Sequence, residues 1–132
     1  MLRGRFRRRA ATAAVAACFA TTPAWSLPTG VAVVNGTAVL DQVGQVLNVT
    51  NSNGAILNWQ QFNIAAGETT RFIQASASSS VLNRVVGGDL SAIYGTLSSN
   101  GRVWLVNPAG ILIGASGVIN TAGFIASTLP VR

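Results

Sequence analysis

The stretch from Gly101 to Ser127, GRVWLVNPAGILIGASGVINTAGFIAS, limits the fold more than any other part of the chain. Its apolar runs are two to four residues long: Val103–Val106, Ile111–Ile113, the pair Val118-Ile119, and Phe124–Ala126. Asn-Pro-Ala-Gly, Gly-Ala-Ser-Gly and Asn-Thr-Ala-Gly separate them. Runs of β-branched, aromatic and aliphatic residues bounded by Gly, Asn and Pro read as short buried strands. The punctuators suit tight-turn backbone, because Gly adopts positive φ freely and Asn tolerates it. Asn-x-x-Gly recurs at 107–110 and 120–123. Arg102 to Phe124 then amounts to one coil holding three strand-turn units. This predicts a parallel β-helix, whose coils stack strand on strand around a closed core. Three strands of an ordinary sandwich are the alternative, and turns this frequent between strands this short favour the solenoid.

The formal charge of +6 belongs to the beginning of the chain. Arg3, Arg5, Arg7, Arg8 and Arg9 crowd the start, while Arg71, Arg84, Arg102 and Arg132 nearly balance Asp41, Glu68 and Asp89. A basic patch for nucleic acid or anionic lipid is therefore unsupported. Residues 1–26 form a secretory signal: an Arg-rich start, an apolar run from Ala10 to Ala20, then Thr21-Thr22-Pro23 and a small-residue site. Ala24-Trp25-Ser26 sets the cut between Ser26 and Leu27, on the ordinary Sec route. The apolar run is about half the length of a membrane span. Two other routes remain open. Val15-Ala16-Ala17-Cys18 is similar to a lipoprotein signal with Cys18 as the acylated residue, and Arg7-Arg8-Arg9 is a poor twin-arginine motif. Cleavage after Ser26 would remove Cys18, the one cysteine, which also excludes a disulfide framework or a cysteine-based zinc site.

From Leu27 the chain is one domain, 27–132, that alternates and turns. Asn35-Gly36 between apolar runs is a hairpin signal, and Asn51-Ser52-Asn53-Gly54 supplies another turn. An antiparallel beginning would cover the bare edge and open apolar end of a first coil, so this region is read as a cap. Trp59, Phe62, Ile64 and Phe72 are core candidates. Gln74–Ser80 is a polar run, read as a loop or thin strand, and Ser91–Leu97 alternates with period two. No sustained 3.6-residue period follows Leu27, so helix content should be low.

Catalytic chemistry is thinly provided. There is no His, hence no Ser-His-Asp or Cys-His nucleophile and no His metal ligand. Asp41, Glu68 and Asp89 are scattered, and read as turn and surface residues rather than a carboxylate pair. The Gly-rich segment from Gly110 to Gly117 lacks the Lys of a phosphate-binding loop. The chain is read as non-enzymatic and without a cofactor or metal.

A set of spaced motifs carries a family resemblance. Ser91-x-Ile93-x-Gly95-x-Leu97, then Gly101-x-Val103-x-Leu105-x-Asn107-Pro108-Ala109-Gly110-Ile111, resembles the core of the secretion domain of filamentous haemagglutinin-type exoproteins, the passengers of Gram-negative two-partner secretion. Asn58-Trp59-Gln60-Gln61-Phe62-Asn63-Ile64 and Leu82-Asn83-Arg84-Val85-x-Gly87-Gly88 are similar to it upstream, in order. The likeness covers residues 27–127. The family pattern is typically Asn-Pro-Asn-Gly-Ile, and here Ala109 replaces the second Asn.

The resemblance implies a right-handed parallel β-helix with an antiparallel N-terminal cap, incomplete at its C-terminus. It implies a secretion-targeting and folding-initiation module of a large exported adhesin or exoprotein. The partner would be a dedicated outer-membrane transporter with periplasmic recognition domains, and host cells or glycans would be partners of the full-length protein. An exported chain that stays unfolded in the oxidising periplasm is also well served by having no thiol. Asn107, Pro108, Ala109, Gly110 and Ile111 are the candidate secretion motif, with Asn83, Arg84, Gly95 and Gly101 as secondary candidates. The rival classes are a β-helical adhesin binding glycans directly, a lipid-anchored β-helical protein, and a polysaccharide lyase or hydrolase, which the missing His disfavours.

Overall fold

The alternating segments form short strands in the computed structural model, which describes residues 27–129. Strand β1 spans Ala32–Asn35, β2 Ala38–Val43, β3 Val46–Asn51 and β4 Ala55–Trp59. They are followed by β5 Thr69–Ile73, β6 Ser80–Val85, β7 Ser91–Ile93 and β8 Thr96–Ser99. The last are β9 Arg102–Val106, β10 Ile111–Ile113, β11 Val118–Asn120 and β12 Gly123–Ser127. No helix occurs among the described residues. The signal-peptide reading falls on residues outside those described, except for Leu27.

Three walls enclose the core. A first sheet has the order β11-β8-β5-β3-β2 and a second the order β12-β9-β6-β4-β1. A short third wall pairs β7 with β10 and is extended by a parallel bridge from Ile64 to Ile93. The chain visits the walls in rotation, β3-β4-Ile64, then β5-β6-β7, β8-β9-β10 and β11-β12. All pairings between these coils are parallel. Val103, Trp104 and Leu105 lie beside Phe124, Ile125 and Ala126, so the segment that suggested a solenoid does stack on itself.

Register turns the sequence into columns of inward side chains. Ala55, Val81, Val103 and Phe124 form one, and Leu47, Thr70, Leu97 and Ile119 another. Ile64, Ile93 and Ile113 line the third wall. Trp59, Phe62 and Phe72 are fully buried, the first two edge to face at 5.6 Å between centroids, the last two stacked at 6.4 Å. Aromatic pairs in these geometries add to the burial of their area.

The beginning is antiparallel, as its turns suggested: β1 pairs with β4 and β2 with β3. The hairpin is not at Asn35-Gly36, however. Strands β1 and β2 belong to different sheets, so this dipeptide carries the chain round a corner, with Gly36 at φ 74°. The hairpin closes at Val43-Gly44-Gln45-Val46, where Gly44 has φ 58°. Asn-Gly supplies the positive φ that either a hairpin or a corner needs.

Candidate functional site

The candidate motif follows β9 directly. Val103 and Leu105 point inward and are fully buried, and Asn107, two residues on, continues that inward phase at 1% exposure. A buried amide must find partners, and Asn107 has them on three coils. Its Nδ2 donates to the Asp89 carbonyl at 2.9 Å and to Ser91 Oγ at 3.0 Å, both in the preceding coil. Its Oδ1 accepts from the Ala109 N–H at 2.9 Å, within its own turn. Its backbone N–H donates to the Ser127 carbonyl at 2.9 Å, in the coil that follows.

The turn closes by a bond from the Gly110 N–H to the Asn107 carbonyl at 3.0 Å. Asn first, Pro second and Gly fourth is the residue preference of a type I turn. Ala109 is thus accommodated without the Pro-Gly centre of a type II turn. Pro108 and Ala109 are exposed. Gly110 has φ 125°, and its carbonyl accepts from the Ser91 N–H at 2.9 Å. A Cβ there would meet only Leu90 Cβ at 3.8 Å. Backbone conformation rather than crowding therefore demands glycine. Ile111 begins β10 beside Ser91 and packs half-buried against the core. The second Asn-x-x-Gly, 120–123, is a different structure: it joins β11 to β12 at the corner between the two large sheets.

The secondary candidates do not gather at this turn, yet they share its logic. Asn83 is fully buried in the column Leu57, Asn83, Leu105, Ala126. Its Oδ1 accepts from Trp59 Nε1 at 2.9 Å in the previous coil, and its Nδ2 donates to the Trp104 carbonyl at 3.2 Å in the next. Arg84 faces outward, its Nε donating to Asn58 Oδ1 at 2.8 Å. Gly95 has no room for a side chain, since a Cβ would run into the carbonyls of Ala65 and Glu68. At Gly101 a Cβ would lie 2.7 Å from Gln74 Nε2. Leu27, the residue after the expected cut, is buried with the core cluster at 5% exposure.

One polar cluster escaped the sequence. Gln74 is 6% exposed rather than part of a surface run. It exchanges two bonds with Asn100: the Gln74 N–H donates to Asn100 Oδ1 at 2.8 Å, and Asn100 Nδ2 donates to the Gln74 carbonyl at 2.7 Å. Its Nε2 donates to Ser99 Oγ and to the Arg102 carbonyl, both at 3.0 Å. The signal available was phase, because Gln74 continues the inward alternation of Thr70 and Phe72. Glu68 likewise is buried, not a surface acid, and accepts from the Ala65 N–H at 2.8 Å. Among the described residues no group of three His, Cys, Asp or Glu could hold a metal. The amides of Asn107 and Asn83 are occupied with backbone groups and with the Ser91 hydroxyl and the Trp59 indole of neighbouring coils, an arrangement suited to locking coils together.

The TPS secretion domain family matches residues 21–131. A heme/hemopexin-binding protein of Haemophilus influenzae is 37% identical over 103 residues, 77% of this chain and 11% of that protein. A second heme/hemopexin-binding protein of Haemophilus influenzae is 33% identical over 114 residues, 85% of this chain and 12% of that protein. The crystal structure of the HMW1 secretion domain from Haemophilus influenzae superposes with a TM-score of 0.79 at 46% identity, covering 80% of this chain and 28% of that one. The chain spans about a tenth of the length of the curated relatives it matches.

Proposed function

The chain belongs to the TPS secretion domain family and is a secretion-targeting module of a large exoprotein, and we propose that it also initiates folding of that exoprotein from its capped N-terminal end. The family implies export to the cell surface or the medium and a dedicated outer-membrane transporter as partner. The finer steps are our reading. The chain leaves the cytoplasm by a Sec signal cut between Ser26 and Leu27. It crosses the periplasm unfolded and is recognised there by periplasmic domains of the transporter. Outside, the first coil forms under the antiparallel strands, and each later coil uses its predecessor as template.

The observation that carries this reading is the pair of buried asparagines. The Asn83 amide bonds to the coil before and the coil after its own, while the Asn107 amide bonds to the coil before and its backbone N–H to the coil after, so a coil's polar groups are completed only when the next one docks. A buried amide left half-paired costs about 1–3 kcal/mol, which favours adding the following coil. On this reading the motif acts through the fold, and transporter failure in motif variants would follow from folding failure. The family is not known to be enzymatic. Two relatives are named for heme and hemopexin binding. We assign such activity to the parts of those proteins beyond this module, because it spans about a tenth of them and has no His.

The test is export of the full chain through its cognate transporter, with the secreted product sequenced from its N-terminus. Secretion of a product starting at Leu27 supports the reading. A diacylated product starting at Cys18 replaces the Sec route with lipid anchoring. Normal export of a chain lacking 27–73, the cap and the first coil with β5, would remove folding initiation from the module.

A further inference from the structure

The outer face of the second sheet carries an apolar row. Ile56, Leu82, Trp104 and Ile125 stand side by side in register across four adjacent strands. Trp104 is 42% and Ile125 46% exposed. Two shallow grooves flank the indole, one of about 350 Å³ against Ile56 and Leu82 and one of about 200 Å³ against Ile125. Single exposed apolar side chains need no explanation, but a contiguous row does.

Charge defines what could lie on it. Arg102 precedes Trp104 by one outward step, and Arg84 follows Leu82 by one outward step. The Leu82–Trp104 pair is thus bracketed by guanidinium groups at opposite ends. Their hydrogen-bond partners are neutral: Arg84 donates to Asn58, and Arg102 Nη2 donates to the Ser78 carbonyl at 2.6 Å. None of the chain's acids sits in this sheet. Asp41 is in β2 of the first sheet, Glu68 is buried, and Asp89 accepts from Gln61 in the loop after β6.

We propose that this face docks an extended polypeptide segment of a partner protein, one that alternates carboxylates with aliphatic side chains along one edge. In a strand, residues i and i+2 point the same way about 6.8 Å apart. The same step separates Arg102 from Trp104 and Leu82 from Arg84. An aliphatic side chain seated over Leu82 and Trp104 therefore brings its flanking carboxylates to the two guanidinium groups, which bind carboxylates in a two-pronged geometry. A second copy of this chain fits poorly. Either in-plane twofold axis through the Leu82–Trp104 pair brings arginine against arginine, and like charges across an interface are costly. An acidic polysaccharide would satisfy the arginines but has no aliphatic groups to fill the grooves.

The test is fluorescence anisotropy of a fluorescein-labelled peptide repeating Glu-Ser-Ile-Ser, titrated with the full chain. Saturable binding is expected, weakened about tenfold or more by Trp104→Ala, as for a central aromatic anchor. The double change Arg84→Gln with Arg102→Gln should weaken it too, as should added salt. Leu112→Ala, on the third wall, should leave it unchanged, and the Lys-Ser-Ile-Ser peptide should not bind. Circular dichroism checks that each variant stays folded. Absence of saturable binding overturns the proposal, as does equal binding by Trp104→Ala or by the Lys peptide. Binding of polygalacturonate in place of the peptide, lost in Trp104→Ala, reassigns the face to acidic glycans. Self-association of the full chain, lost in Trp104→Ala, reassigns it to a second copy.

Discussion

The two ends of the solenoid are built from similar residues and differ in what covers them. Toward the first coil, Leu57, Trp59, Phe62 and Ile64 are fully buried beneath antiparallel strands. Toward the last, the same columns open. Leu105 is fully buried while its register neighbour Ala126 is exposed, and Ile93 is fully buried while Ile113 is 44% exposed. Residue type does not decide burial here; a coil on each side does. The cap reverses strand direction, which ends the parallel stacking at one end and leaves the other ready to be extended. Stability in such a stack is a sum of intrinsic coil terms and neighbour terms, so it should fall from the capped end to the open one.

The largest expected contrast is between aromatic truncations at the two ends. Trp59→Ala should cost about 3–5 kcal/mol, as for a large buried aromatic, and it also strips Asn83 Oδ1 of its donor. For a small domain with about 5–15 kcal/mol in total, that loss is a large share. Phe124→Ala, in the half-buried last strand, should cost only about 1 kcal/mol, near the lower end for partial removal of apolar area. Urea unfolding of both variants checks the ordering, and equal losses would erase the difference between the ends.

Removing a staple should come next. Asn83→Ala leaves the buried Trp59 indole N–H without its partner, a loss of about 1–3 kcal/mol, and removes a second donor from the Trp104 carbonyl. The urea midpoint should fall, and export should fall with it. At the turn after β9, Gly110→Val forces a β-branched residue to positive φ and should cost about 1–3 kcal/mol. Ala109→Asn should be near neutral in both stability and export, because the Ala109 site is exposed. Export lost in Gly110→Val with stability intact would show direct contact between this turn and the transporter. The smallest effect has the opposite sign. Thr70 is fully buried and its Oγ1 has no hydrogen-bond partner. Thr70→Val should stabilise the protein by about 1 kcal/mol, read as a higher urea midpoint.

The sequence revealed what depends on period and punctuation. Alternation in Val103–Val106 and in Ser91–Leu97, with a turn every few residues, is enough to predict short stacked strands, and Trp59, Phe62 and Phe72 read as core aromatics even though Asn58, Gln60, Gln61, Asn63 and Arg71 adjoin them. What stayed hidden depends on where strands go after a turn. Asn35-Gly36 has the chemistry of a hairpin, yet whether a corner folds back or turns onto another wall is decided by which strand the next segment meets. The two Asn-x-x-Gly segments are alike locally and unlike in place for the same reason. Gln74 was hidden by its neighbours: a run of serines disguised an inward amide whose partners, Asn100 and Ser99, lie a coil away. Residues 107–110 do form a turn, but the reach of Asn107 to the coils on both sides cannot be read from spacing. Register across coils is a tertiary quantity.

Native-state hydrogen exchange on the full chain tests the ordering from capped to open end most directly, because it reads the opening free energy strand by strand. The slowest amides are expected in β4, β5 and β6, intermediate protection in β9, and the fastest exchange among core-facing strands in β11 and β12. Uniform protection across all coils, or slower exchange in β12 than in β4, would contradict a solenoid that is secured at its N-terminal cap and grows from there.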